Sequence, residues 1–115
     1  MATQTLKILG QSLPTATVLT ALYTVPALTQ AVVSSLIVCN QNATAINWRL
    51  SIAPGGAADS QVQYIYGGTV GAGLAMDGLD TFIATSGFSL GAGDVVRCYS
   101  DTANVSFMLS GMEIS

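Results

Sequence analysis

Short stretches in which apolar and polar residues alternate recur along this chain, and turn-forming residues end each of them. The clearest stretch covers residues 45–53, in which Arg49 and its polar neighbours separate large apolar residues. Successive side chains of a β-strand point to opposite faces, and the pattern therefore predicts a strand with one buried side. That side carries Ile46, Trp48, Leu50 and Ile52. A helical periodicity is hard to find anywhere, so an all-β chain is expected.

About eight short strands fit between the turn signals. The candidate stretches for them, nine in all, are residues 5–9, 18–25, 31–40, 45–53, 61–66, 80–85, 87–90, 94–100 and 104–114. The third of these is apolar on both sides, which predicts a central strand covered on both faces. Asparagine favours turns, so Asn40-Gln41-Asn42 predicts a hairpin to the next strand. Gly111 is a candidate β-bulge.

These strands predict one domain over residues 1–115, with a short N-terminal arm before Gly10. A chain of this length buries about two-thirds of its unfolded surface, which is enough for a single core. We expect an antiparallel β-sandwich of the jelly-roll or immunoglobulin-like kind in preference to a closed barrel.

Charged residues make up 8% of the chain, with three basic residues, six acidic residues and no histidine. Three cations cannot form the basic surface that nucleic acids require. Without histidine, the usual general base near neutral pH and the commonest metal ligand are both missing. We therefore expect no enzymatic activity, catalytic residue, cofactor, metal site or nucleic-acid partner. Neither a leader peptide nor an apolar run of about 18 residues is recognisable, so no membrane partner is expected.

The two cysteines, Cys39 and Cys98, both lie in largely apolar stretches. Their separation fits neither a CxxC motif nor a zinc site. Two buried thiols are the favoured interpretation, because free cysteine is among the most buried residue types. A disulfide between neighbouring strands and a reactive thiol are the alternatives.

Three patterns that could carry chemistry have simpler interpretations. The glycine-rich residues 67–73 lack the lysine of a phosphate-binding loop. Asp77 and Asp80 do not have the spacing of a calcium loop, which favours solvated turn acids. Trp48 could form a sugar-stacking platform with Tyr64 and Tyr66, but its apolar strand side favours the core.

The loop at residues 67–76 is a predicted partner-contact segment, and two tyrosines just before it are further candidates. The alternation places Val62, Tyr64 and Tyr66 on one face, and paired tyrosines suit a wet interface. The uncharged glycine-rich segment follows directly. The candidate contact residues are Tyr64, Tyr66, Gly68, Val70, Leu74 and Met76. The segment before Gly10 is a second candidate.

Several short motifs occur together from Gly10 to the C-terminus. They are Gly10-Gln11-Ser12, Leu22-Tyr23-Thr24-Val25-Pro26, Ala31-Val32-Val33-Ser34-Ser35, Val38-Cys39-Asn40 and residues 90–96. In combination they resemble a group of small proteins from tailed bacteriophages. The resemblance implies a virion structural component that is assembled in the host cytoplasm. It also implies the major capsid protein or tail proteins as partners, and it transfers no catalytic residue.

The low charge and apolar excess independently suit a subunit that buries much of its surface, so a homo-oligomer, with a trimer as one possibility, is expected. Together with the resemblance they favour a capsid decoration, or cement, protein that stabilises the major capsid protein lattice. A tail, baseplate or fibre accessory protein is the alternative within this class. A carbohydrate-binding receptor module is the alternative from another class.

Overall fold

The computed structural model describes residues 3–67 and 74–115, which form an all-β structure with two short 3₁₀ turns. The strands are β1 (Gln4–Ser12), β2 (Thr20–Thr24), β3 (Gln30–Asn40), β4 (Ile46–Ala53), β5 (Tyr64–Tyr66), β6 (Leu74–Met76), β7 (Thr81–Leu90), β8 (Val95–Ser100) and β9 (Val105–Ile114). The turns are Pro54–Gly56 and Gln61–Gln63. The predicted all-β class is confirmed. Within these residues, no helix is long and apolar enough to cross a membrane.

The strands form two antiparallel sheets. Sheet A has the order β1-β9-β3-β7, and sheet B has the order β2-β8-β4-β5, with β6 also paired to β4. The first strand pairs with the ninth, the second with the eighth, the third with the seventh, and the fourth with the fifth and sixth. A long antiparallel ribbon whose successive pairs alternate between two sheets is a jelly roll. Of the two predicted sandwich types, the chain adopts this one.

The core lies between the sheets and is centred on Trp48, which is fully buried. Its ring centroid lies 5.0 Å from that of Phe82 and 6.0 Å from that of Phe107, so the indole joins β4 of sheet B to two strands of sheet A. Aromatic pairs at these distances add to the free energy gained by burial. The prediction that Trp48 packs in the core is confirmed.

The predicted hairpin between residues 31–40 and 45–53 is wrong, because β3 lies in sheet A and β4 lies in sheet B. The asparagine turn instead forms a corner between the sheets. Buried Asn40 donates from Nδ2 to the carbonyl oxygens of Thr44 and Asp77, at 3.0 and 2.9 Å. Its Oδ1 accepts from the backbone N–H of Asn42 at 3.0 Å. The asparagine turn is therefore present as predicted, but it connects a strand of sheet A to a strand of sheet B instead of two neighbouring strands.

Bulges account for further differences from the predicted strands. The extra residue near Gly111 is Ser34 on β3, not the glycine itself. On its other side Ser34 faces two residues of β7, 86 and 87, so β7 has the extra residue in that ladder and continues as one strand instead of two. The segment before Gly10 pairs with β9 as part of β1, at one edge of sheet A.

Gly111 is required by a close approach of two strands. A Cβ atom there would lie 2.1 Å from the carbonyl oxygen of Val32 and 3.0 Å from the Cα of Val33. Backbone atoms of a central strand cannot move aside without breaking the ladder. We expect Gly111→Ala to lower the free energy of unfolding by about 1–3 kcal/mol or more, measured by urea denaturation.

Gly87→Ala is the matched control, because a Cβ atom at Gly87 meets nothing within 4 Å and the residue also lies in sheet A. Its expected effect is within about 0.5 kcal/mol. Equal stability of Gly111→Ala and the unsubstituted chain would contradict the close approach.

Candidate functional site

The outer face of sheet A presents rows of side chains that run across all four strands. Antiparallel register places directly paired residues on the same side of a sheet. One row is Leu6, Met112, Val32 and Ser89; the next is Ile8, Ser110, Ser35 and Thr85; the third is Gln11, Met108, Ile37 and Ile83. Two shorter rows of three residues each lie at the two ends of the face, Gln4–Ile114–Gln30 and Ser106–Cys39–Thr81. We call these residues the sheet A face.

The sheet A face carries no charged residue. The nine charged residues lie elsewhere, as Lys7, Arg49, Asp59, Asp77, Asp80, Asp94, Arg97, Asp101 and Glu113. Two of them, Lys7 and Glu113, are on strands of sheet A, but the register places them on its inner side, opposite Gly111 and Ala31. The face therefore combines exposure to water with a complete lack of charge.

Large apolar side chains on this face are exposed. Leu6 is 82% exposed, Ile83 is 65% exposed and Ile8 is 51% exposed. Four strands of about nine residues give the face a projected area of roughly 600 Å². A standard protein interface covers about 800 Å² on each partner, and exposed apolar patches of several hundred Å² mark interaction sites. The sheet A face has the size and chemistry of a protein contact surface.

The polar groups in the middle row bond to one another. The hydroxyl groups of Ser35 and Ser110 are 2.5 Å apart, and the Ser34 hydroxyl donates to the carbonyl oxygen of Ser110 at 3.2 Å. Hydroxyls that already have partners lose little when water is removed. A protein partner could therefore cover the middle of the face without leaving these groups unsatisfied.

The centre of the outer face of sheet B, around Arg49 and Ser51, is covered by the chain itself. The Arg49 guanidinium lies 4.6 Å from the Tyr64 ring centroid and 4.4 Å from that of Tyr99, and it pairs with Asp59 at 3.8 Å. Arg97 donates to the carbonyl oxygen of Ala57 at 2.8 Å. These contacts hold residues 54–63 against the sheet.

This cover contradicts the predicted polar, exposed side of residues 45–53. Arg49 is 7% exposed and Ser51 is fully buried. Alternation identified the inner side of the strand correctly, but the outer side is buried under a segment that the sequence pattern did not place.

Tyr64 and Tyr66 do not share a face, because the register shifts between their partners Ser51 and Leu50. Tyr64 lies on the outer side of sheet B beside Arg49. Tyr66 packs inward, with its ring centroid 5.8 Å from that of Trp48. The sugar-stacking platform that required these three aromatic rings side by side is not formed.

The other predicted contact residues are also dispersed or inaccessible. Met76 is 6% exposed and belongs to the core. The backbone of Leu74 pairs with Trp48 in β6. Gly68 and Val70 lie outside the described residues. That a partner touches these six positions stays a prediction.

Of the sheet A face, sequence reasoning named only the segment before Gly10 as a candidate contact, because the face is assembled from four separated strands. A signal was present in residues 31–40, whose two apolar sides predicted a doubly covered strand. The structure covers one side, while Val32 and Ile37 on the other side are half-buried. An apolar outer side without a cover within the described chain points to a partner.

The cysteines lie on different layers. Cys39 is half-buried on the sheet A face, Cys98 is buried between the sheets, and both are free thiols. The disulfide alternative is therefore not realised. Burial raises the pKa of Cys98 to about 11, which keeps this thiol protonated and unreactive at neutral pH.

Asp77 and Asp80, the two acidic residues considered as calcium ligands, take part in turn hydrogen bonds. Asp80 accepts from the backbone N–H of Thr81 at 2.9 Å, and the Asp77 carbonyl accepts from Asn40. Among the described residues, no group of three or more potential metal ligands is found.

A cluster with two charged residues, Lys7 and Glu113, lies on the inner side of sheet A at its β1 edge. Glu113 accepts from the Lys7 ammonium at 3.2 Å and from the Tyr23 hydroxyl at 2.5 Å, so it joins β1 and β9 to β2 of the other sheet. The hydrogen bonds from Tyr23 and Lys7 lower the pKa of Glu113. Burial, together with the bond and the charge of Glu113, raises the pKa of Tyr23.

Comparisons with known proteins give little further information. No protein-family model and no curated protein matches the sequence. Among solved structures, the chain is similar to a pentameric capsid protein isolated from metagenomic phage sequences, with a TM-score of 0.30 and 15% identity. The match covers 97% of this chain and 58% of that protein, so the chain spans less than two-thirds of its length. A similarity at this level carries no conclusion about fold or function.

The Glu113 cluster predicts a pH-dependent contribution to stability. The carboxyl pKa is lower in the folded chain than in the unfolded chain, so its contribution is complete above the ordinary glutamate pKa. It is lost as the pH falls through the lowered value. We expect Glu113→Gln to lower the free energy of unfolding by about 1 kcal/mol at about pH 7, and by less at about pH 3.

Urea denaturation of both chains at the two pH values measures this difference. Tyr23→Phe is the companion variant, because it removes the hydroxyl donor and leaves the carboxyl to titrate. A stability difference between Glu113→Gln and the unsubstituted chain that is the same at both pH values would rule out the charged cluster.

Proposed function

We propose that this chain is a non-enzymatic structural protein of a bacteriophage particle, and that it decorates the capsid by binding the major capsid protein lattice through the sheet A face. The observation that carries the proposal is the complete absence of charge from an exposed sheet face of roughly 600 Å². The sequence motifs that resemble small tailed-phage proteins supply the virion context.

The mechanism is mechanical. About half of the residues on the face are apolar, so covering the whole face removes about 300 Å² of apolar surface from water and contributes roughly 7 kcal/mol per copy before association costs. If one copy touches two neighbouring shell subunits, at least one of its contacts must break before those subunits can separate. Once the first contact has formed, the second forms at a high effective concentration, because the copy is already held beside the second subunit. Many equivalent copies would then resist expansion or rupture of the shell.

Jelly rolls occur in viral capsid domains and in lectins, so the fold by itself does not separate decoration from carbohydrate binding. The placement of the aromatic residues favours decoration. Trp48 is in the core, and Tyr64 and Tyr66 lie on opposite sides of sheet B. An exposed apolar face without charge also suits a protein surface better than a polar sugar.

A tail, baseplate or fibre accessory role could use the same face and differs in copy number. Quantitative mass spectrometry of particles purified from cells that produce this chain measures that number against the major capsid protein. Decoration predicts on the order of hundreds of copies per particle, as expected for a lattice contact. Tens of copies would assign the chain to the tail, and absence from the particle would overturn the virion proposal.

We further predict that Leu6→Lys lowers the number of copies per particle at least about tenfold. Leu6 is 82% exposed, so the substitution leaves the core untouched, but the new charge would be buried without a partner when the face is covered. Val62→Lys is the matched control, because Val62 is 90% exposed and lies outside sheet A.

Mass spectrometry of particles assembled with each variant measures incorporation, and thermal unfolding of each purified variant checks its fold. Equal incorporation of the Leu6→Lys and Val62→Lys chains would show that the sheet A face is not the contact.

A further inference from the structure

The edges of the two sheets differ in how well they are protected against pairing with another strand. Charged residues, bulges and short length are the usual protections. At one edge of sheet A, β1 carries Lys7 and a bulge at Leu9. In sheet B, β2 has five residues and a register shift at Leu22, and the edge strands β5 and β6 have three residues each.

The other edge of sheet A, β7, has none of these protections along its first half. Its ten residues contain neither a charged residue nor a proline. Its one irregularity lies opposite Ser34, so residues 81–85 form a regular stretch. Within the described chain, β3 is the strand paired with β7, and Ile83 on this edge is 65% exposed.

We propose that the β7 edges of two copies of this chain pair in antiparallel fashion about a two-fold axis, which joins two A sheets into one of eight strands. An axis at Ile83 places Ile83 opposite its own counterpart, Thr81 opposite Thr85, and Phe82 opposite Ala84. Apolar pairs and threonine pairs stabilise adjacent strands, and the aromatic ring meets a small side chain.

A second copy fits this edge because an uncharged strand can pair with itself without repulsion. The nearest charge on the strand is Asp80, just before β7. In this pairing the two Asp80 residues are separated by about six residues along the strands, or roughly 20 Å, which exceeds the screening length of about 8 Å. Asp77, Asp80 and Asp101 lie at the end of the sandwich where β3 ends and β4 begins, because the first two accept hydrogen bonds from Asn40 and the third accepts one from Asn47. Contact between two copies through that end would bring these like charges together.

The edge pairing would leave the sheet A face open. Strand addition uses backbone hydrogen bonds at the margin of the sheet, whereas the rows of the face point perpendicular to it. Two copies would therefore present one continuous uncharged surface of about twice the area. The pairing of the two β7 edges does not depend on what that surface binds.

Sedimentation velocity over a concentration series of the full chain tests the pairing. We expect a reversible dimer. Ile83→Lys should weaken the dimer at least about tenfold, because it places two like charges opposite each other across the axis. Leu6→Lys adds a charge to the sheet A face at β1, the edge opposite β7. Val62→Lys adds a charge outside sheet A, so it changes neither the face nor the β7 edge. Both should dimerise like the unsubstituted chain, and thermal unfolding verifies that all three variants fold.

Each alternative gives a different result. A dimer lost in both Ile83→Lys and Leu6→Lys would mean that the two faces pack on each other. A chain that stays monomeric up to about 100 μM, well above the low micromolar range of weak specific complexes, would overturn the edge pairing. So would a larger assembly that Ile83→Lys leaves intact.

Hydrogen exchange provides a second readout. Amides of residues 81–85 should exchange more slowly as the chain concentration rises, whereas those of β1 should not change. Protection of β1 instead would assign the contact to the opposite edge. A monomeric chain that still enters particles would overturn the edge pairing and leave the proposed function standing.

Discussion

The arrangement of the molecule depends on β3 and its hydrogen bonds to both β7 and β9. The inner side of this strand supplies Val33, Leu36 and Val38, which are fully buried. Its outer side supplies the centre of the sheet A face. A slip of one residue in either pairing would exchange the two sides, so the register that fills the core also sets the chemistry of the outer face. Both ladders adjust their register at Ser34, which is the extra residue against β9 and faces two residues of β7 on the other side.

The few charged residues are used to hold loops and corners. Asp94 accepts from the backbone N–H groups of Gly55 and Gly91, at 2.9 and 2.8 Å, and Asp101 accepts from that of Asn47 at 3.1 Å. The two arginines hold residues 54–63 over sheet B. Charge–dipole and charge–ring contacts of this kind fix segments that have little apolar surface of their own. With the charges placed in this way, the centre of the outer face of sheet B is covered by residues 54–63, whereas the outer face of sheet A has no such cover within the described chain.

Much of the fold could be predicted from local patterns, because period-two alternation determines which residues lie on one side of a strand. It correctly placed Trp48 in the core and identified the all-β class. Alternation contains no information on which strands become neighbours, and the predicted hairpin after Asn40 was therefore wrong. It also fails at bulges, as the separation of Tyr64 from Tyr66 by the register shift between them shows.

The candidate site was less predictable for a related reason. A sheet face is a property of four strands together, and Leu6 and Ile83 come from opposite edges of the sheet and distant parts of the chain.

The face and the edge of sheet A impose different requirements on a partner. The face needs a partner with an apolar surface of matching shape, because apolar burial does not depend on the direction of individual bonds. The edge needs a strand whose free backbone N–H and C=O groups align with those of β7. One chain can therefore satisfy the edge with its own copy and keep the face for a different protein.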